Sequence, residues 1–161
     1  MKSNEIELLL HALDEGFDLK AWHGPNLRGA LRRVRAEDAA WRPAPGRHNV
    51  WELAVHAAYW KYATWRRLTG ARRGSFDLEG SNWFPRPEGP ASERAWKADL
   101  AMLDRIHRSL RAVVSALDPK ALRRRARGSR YTPAALVNGI AMHDVYHAGQ
   151  IQLLKKLARG S

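Results

Sequence analysis

A chain of 161 residues with 28 Lys and Arg against 16 Asp and Glu carries a formal charge of +12, and it is long enough to bury a core without covalent staples. It has no cysteine, which excludes disulfides, thiolate metal ligands and a protein-borne sulfur nucleophile, so thiol chemistry would need a thiol from outside. The opening stretch MKSNEIELLLHALDEGFDLK breaks its apolar run with acids and reads as neither a secretory signal nor a membrane span; one cytoplasmic domain over residues 1–161 is expected.

Four segments carry the helical period and none alternates as a strand does. The first runs from about residue 4 to 22 on Ile6, Leu10, Leu13 and Phe17, with Asn4 and Glu7 spaced as a capping box. A short helix is expected near Leu27 to Val34, in a connection that holds Pro25, Pro43 and Pro45. The second long helix opens at Asn49, with Glu52 three residues on, and runs to Gly70, its interior marked by Leu53, His56, Trp60 and Ala63. A connection rich in Gly and Pro follows, from residue 70 to 91. The third stripe passes through Trp96, Leu100, Leu103, Ile106, Leu110, Val113 and Leu117 and stops at Asp118-Pro119. The fourth opens at Thr132-Pro133, a capping residue followed by proline in the first turn, and continues to about residue 158. The fold class is therefore all-α, a four-helix bundle. Its long crossover connections permit parallel consecutive helices, as in the up-up-down-down class.

On the fourth helix, Leu136, Ile140, His143, His147, Ile151 and Leu154 fall on one stripe, so two imidazoles occupy core positions. Residues four apart stand one above the other, separated by about 6 Å of rise, and both rings can reach one ion. His56 holds an equivalent place on the second helix and can supply a third ligand from across the bundle. Three neutral imidazoles leave coordination positions open, the arrangement of a catalytic rather than a closed structural site. A lone histidine on an apolar face is more often a hydrogen-bonded core residue. Three interior histidines, however, would each need a buried partner, and one metal serves them all.

The stretches WRPAPGRHNVWELAVHAAYW, from Trp41 to Trp60, and GIAMHDVYHAGQIQLLKK, from Gly139 to Lys156, resemble the DinB-like family of bacterial metal-binding four-helix bundles. AWHGPNL, from Ala21 to Leu27, resembles the end of that family's first helix. The resemblance implies one divalent metal, zinc or nickel foremost, on His56, His143 and His147, and imidazole ligands suit iron or copper as well. It also implies chemistry with small thiols such as bacillithiol, mycothiol or glutathione in some relatives, and a homodimer. The family name refers to DNA damage and says nothing of DNA binding.

Around the triad, Glu52 lies one turn before His56 and is a candidate to orient its ring or act as a base, though capping by Asn49 explains its position as well. Gln150, three residues beyond His147, is a candidate to support that ligand from behind. Asp144 should point about 100° away from His143, toward the surface or another helix. His48 is too far along its helix to share the ion of His56, and His11 and His107 are read as bland. His23, beside Gly24-Pro25 at a helix exit, is the exception, a candidate to line a pocket mouth. Trp51, Trp60, Trp65 and Trp96 are expected in the core or an interface. Trp83, in the loop SNWFPRP, fits the cap of a substrate pocket or a dimer contact.

The expected function is a metal-dependent enzyme that transfers a small thiol to a small electrophile or isomerises it. The alternative is a metal- or small-molecule-binding stress protein without turnover. The basic excess, in clusters at Arg32 to Arg35, Arg66 to Arg73 and Arg123 to Arg127, raises nucleic acid as a third reading. No nucleic-acid motif accompanies it, so a solvated basic surface is preferred, one that also attracts an anionic thiol.

Overall fold

The computed structural model describes residues 4–125 and 129–160. Arg127 of the third basic cluster and both ends of the expected domain lie outside the described residues. The helices are α1 (Asn4–Phe17), α2 (Leu27–Leu31), α3 (Ala36–Ala40), α4 (Val50–Thr69), α5 (Glu93–Ser115) and α6 (Pro133–Arg159), with a 3-10 turn at Pro119–Ala121. The fold is all-α.

Side-chain pairs fix how the four long helices run. Trp51 meets Asp99 and Lys61 meets His107, so α4 and α5 run parallel. His56 meets His147, Trp60 meets His143 and Arg67 shares a cavity with Leu136, which makes α6 antiparallel to α4. Asp14 pairs with Arg111 and Phe17 stacks on His107, setting α1 antiparallel to α5. The order is up-down-down-up. The connection after α4 is thus the crossover that yields a parallel pair, whereas the longer one after α1 merely reverses direction.

Each long helix buries most of the stripe its sequence marks, including Ile6, Leu10, Leu13 and Phe17 on α1 and Leu136, Ile140 and Ile151 on α6, while Trp60, Leu100, Val113, Leu117 and Leu154 are half-buried. Helix α1 closes sooner than its pattern suggests. The N–H groups of Asp18 and Leu19 both converge on the Asp14 carbonyl, and Asn26 Nδ2 takes the Leu19 carbonyl at 2.8 Å. Helix α3, which no stripe announces, carries only two buried residues, Ala36 and Ala39, and takes its first N–H bond from the Glu93 carboxylate at 2.7 Å. Gly16 allows α1 and α6 to touch backbone to backbone: a Cβ there would sit 2.7 Å from the Ala141 oxygen.

Candidate metal centre

Helix α4 starts on a strong cap, Asn49 Oδ1 accepting the Glu52 N–H at 2.8 Å. The Asn49 amide in turn donates to the Arg86 carbonyl at 2.8 Å, fastening the long crossover to the helix start. Two turns on, His56 is 5 % exposed and faces His143 and His147 of α6. His143 Nε2 lies 3.2 Å from His56 Nε2 and 3.0 Å from His147 Nε2. Among the described residues, these three form the group whose donor atoms all fall within 4.8 Å of one another.

The outward nitrogens set the tautomers. His56 Nδ1 lies 2.7 Å from the Asn82 carbonyl and His147 Nδ1 2.6 Å from Gln150 Oε1. Both partners can only accept, so each Nδ1 carries the proton and each Nε2 presents a bare lone pair. His143 Nδ1 is buried with no hydrogen-bond partner. If His143 carries its proton there, three lone pairs face one another; if on Nε2, its Nδ1 is an orphaned acceptor. Neither state satisfies the cluster, whereas a cation at the meeting point does.

The spacing agrees. Ligands about 2.0–2.1 Å from an ion and at octahedral to tetrahedral angles stand about 3 Å apart. Burial keeps the rings neutral and ready to bind: it lowers His56 to about 4, against the Asn82 hydrogen bond, and His143 to about 3, helped by its neighbours. His147 is lowered too, again mainly by burial. The residues present therefore fit a divalent transition metal.

The other expected residues fall as follows. Glu52 is buried, but its oxygens go to Arg42, to His48 Nδ1 at 2.8 Å and to the Arg86 N–H at 3.3 Å. Burial alone would raise its carboxyl; Arg42 and His48 outweigh that and hold it at about 2. The orienting part expected of Glu52 is taken by Asn82. That residue sits at φ +67, a left-handed conformation asparagine tolerates, and its side chain also accepts from Trp60 Nε1 at 2.9 Å. Gln150 meets His147 and also donates to the Tyr146 hydroxyl at 3.2 Å.

Trp83 lies flat on His56, centroids 3.8 Å apart, with His48 stacked on its other face at 3.6 Å. His48 thus joins the surroundings of the site through a tryptophan, without joining the ligand group. His23 is exposed and stands apart from the triad. Asp144 is wholly buried and pairs with Lys61, the interhelix half of its expectation. Sequence reasoning missed Asn82 and Lys61. The first had a faint signal, an asparagine in a Gly/Pro-rich loop; the second had a clearer one, a lysine in phase with Ala54, Ala57 and Ala58.

A bundle that turns one histidine of α4 and two of α6 onto one point belongs to the class of helical proteins with a three-histidine centre suited to a metal. The family model described as the DinB superfamily matches residues 21–151, most of the chain, and the chain belongs to that superfamily. No curated protein and no solved structure matches it.

Proposed function

We propose that this chain is a metal-dependent enzyme that transfers a small thiol to a small electrophile, or isomerises one. The carrying observation is the convergence of three Nε2 atoms beside a cavity that reaches His143. A donor set of neutral nitrogens leaves a bound zinc or nickel its full charge, which lowers the pKa of a thiol or water it takes up. Asn82 and Gln150 hold the His56 and His147 rings in register, and Trp83 shields one face of His56 from water. With no cysteine in the chain, the thiol comes from solution.

The test is metal analysis of protein purified without a histidine tag, followed by cobalt substitution. One ion per chain is expected, absent from a His143→Ala, His147→Ala double variant that still folds. The right thiol should add a sulfur-to-cobalt charge-transfer band that His56→Ala removes. A filled site whose spectrum no physiological thiol perturbs would leave non-catalytic metal binding as the reading.

A homodimer is part of the same proposal. Met142, Tyr146, Leu153 and Leu157 are 46 to 64 % exposed and lie within one narrow arc of α6. Light scattering should show a dimer that Leu153→Lys converts to monomer; a wild-type monomer at tens of micromolar, on the order of ordinary transient affinities, removes it.

A further inference from the structure

Trp60 and Arg67 on α4 face Leu136, Gly139 and Ile140 on α6 across a cavity of about 210 Å³ that ends on His143. The walls are almost wholly carbon, from the Trp60 indole, the aliphatic side chains and the Tyr131 ring. Arg67 supplies the cation, its guanidinium 5.8 Å from the Trp60 ring centroid, and among the described lining residues no acid neutralises it. The stretch of α4 from Trp60 to Arg67 rises about 10 Å. That volume lies below the range of about 300–1,000 Å³ that holds drug-sized ligands, so the occupant is small.

We propose that this cavity seats the electrophilic substrate, an aromatic or branched organic carboxylate whose anionic end pairs with Arg67 and whose other end lies against His143. The inference rests on the metal reading only at the His143 end. Guanidinium binds carboxylate through paired hydrogen bonds, and apolar walls on the α4 and α6 sides reduce the competition from water. A neutral molecule of the same shape would leave Arg67 without its partner. A larger anion, such as a nucleotide, exceeds the space.

The probe is phenylpropionate, compared with its neutral analogue phenylpropanamide, titrated into zinc-loaded and metal-free protein and followed by the methyl resonances of Leu136 and Ile140. The acid should bind saturably in both forms and about 10–100-fold more tightly than the amide, the advantage of a charge-assisted pair. Arg67→Gln should abolish that advantage. Gly139→Leu should block acid and amide alike at unchanged zinc content, because Gly139 lines the cavity and a Cβ there meets nothing within 4 Å, leaving the added side chain room to fill it. Absence of saturable binding up to about 10 mM overturns the proposal, since weaker association carries no specificity. So does an acid preference that survives Arg67→Gln. Binding that requires zinc and ignores Arg67→Gln would put the carboxylate on the ion, overturning the pocket while supporting the metal centre. Arg67-dependent binding in a protein that takes up no zinc would uphold the cavity and end the metal reading.

Discussion

Helices α4 and α6 share two buried polar clusters, and their chemistry is opposite. Lys61, Asp144 and His107 form the first: the ammonium pairs with the carboxylate and donates to His107 Nδ1 at 3.1 Å, over the Phe17 ring at 4.7 Å. Positive, negative and neutral groups answer one another there, and Asp144 Oδ1 is the one atom of the three side chains left unsatisfied. The second cluster, His56, His143 and His147, presents three like nitrogens to one point. A set of complementary charges balances itself, one carboxylate oxygen aside, and holds three helices in register. A set of like lone pairs does not balance itself, and a cation between them would satisfy it.

The largest expected effect comes from breaking the charged cluster. Lys61→Met leaves Asp144 buried without a counter-charge, and Asp144→Leu does the same to Lys61. Each should lower the unfolding free energy by about 3–5 kcal/mol. The double variant, Lys61→Met with Asp144→Leu, should recover most of the loss because no isolated charge remains. Urea denaturation measures all three. A double variant as unstable as the singles would show that the pair contributes more than mutual neutralisation. By contrast, removing a histidine from the other cluster should cost the metal-free protein far less, since no charge is stranded.

Acidification sharpens the contrast next. Burial lowers His56 to about 4 and His107 to about 2, the latter also repelled by Lys61. Both lie below the unfolded value of about 6.5, so the unfolded chain takes up protons first. Stability is therefore intact above about pH 6.5 and falls as pH drops toward the folded values, by about 2 kcal/mol per histidine at about pH 5. Asp144, raised by burial to about 6 despite Lys61, runs the other way and offsets part of the loss. Metal-free protein should thus show a melting temperature that declines from pH 7 to 5. Zinc should raise the melting temperature across that range without altering the decline, because folded His56 carries no proton there with or without the ion. A melting temperature that zinc leaves unchanged throughout would mean that the folded protein does not bind the ion there.

The sequence made the histidine cluster far more legible than its surroundings. His143 and His147 stand four apart within an apolar stripe, and His56 sits in phase with Leu53 and Trp60, so helical period alone brings them inward. The same reasoning gave the four long helices nearly to the residue where caps were strong, at Asn49 and Thr132. It overran α1, whose end is set by convergence on one carbonyl and by Asn26 from the next segment. It could not place Asn82, because the carbonyl that orients His56 belongs to a loop 26 residues away and backbone atoms carry no sequence signal. Glu52 misled for a related reason: one helical turn puts it near His56, but Arg42 and Arg86 arrive through tertiary structure and claim its oxygens.

The smallest expected effect tests whether the ring of helix-held partners matters to the centre at all. Gln150 Oε1 takes the His147 Nδ1 proton at 2.6 Å, and its amide leans on the Tyr146 hydroxyl. That acceptor fixes the tautomer in which Nε2 is bare, and it makes the nitrogen a better donor to a metal. Gln150→Leu removes the acceptor while leaving the partly exposed position apolar, so the metal-free fold should be nearly indifferent. Zinc affinity, read by competition with a chromophoric chelator, should fall about 10–100-fold. Gln150→Glu keeps an acceptor on the same atoms and should retain the affinity. The comparison between the two variants is decisive, because a general disturbance of α6 would weaken both. A loss confined to Gln150→Leu assigns the effect to one hydrogen bond. If Gln150→Leu instead binds zinc within about twofold of the parent, His147 is held by packing against Tyr146 and Trp83, and the hydrogen bond is incidental to the centre.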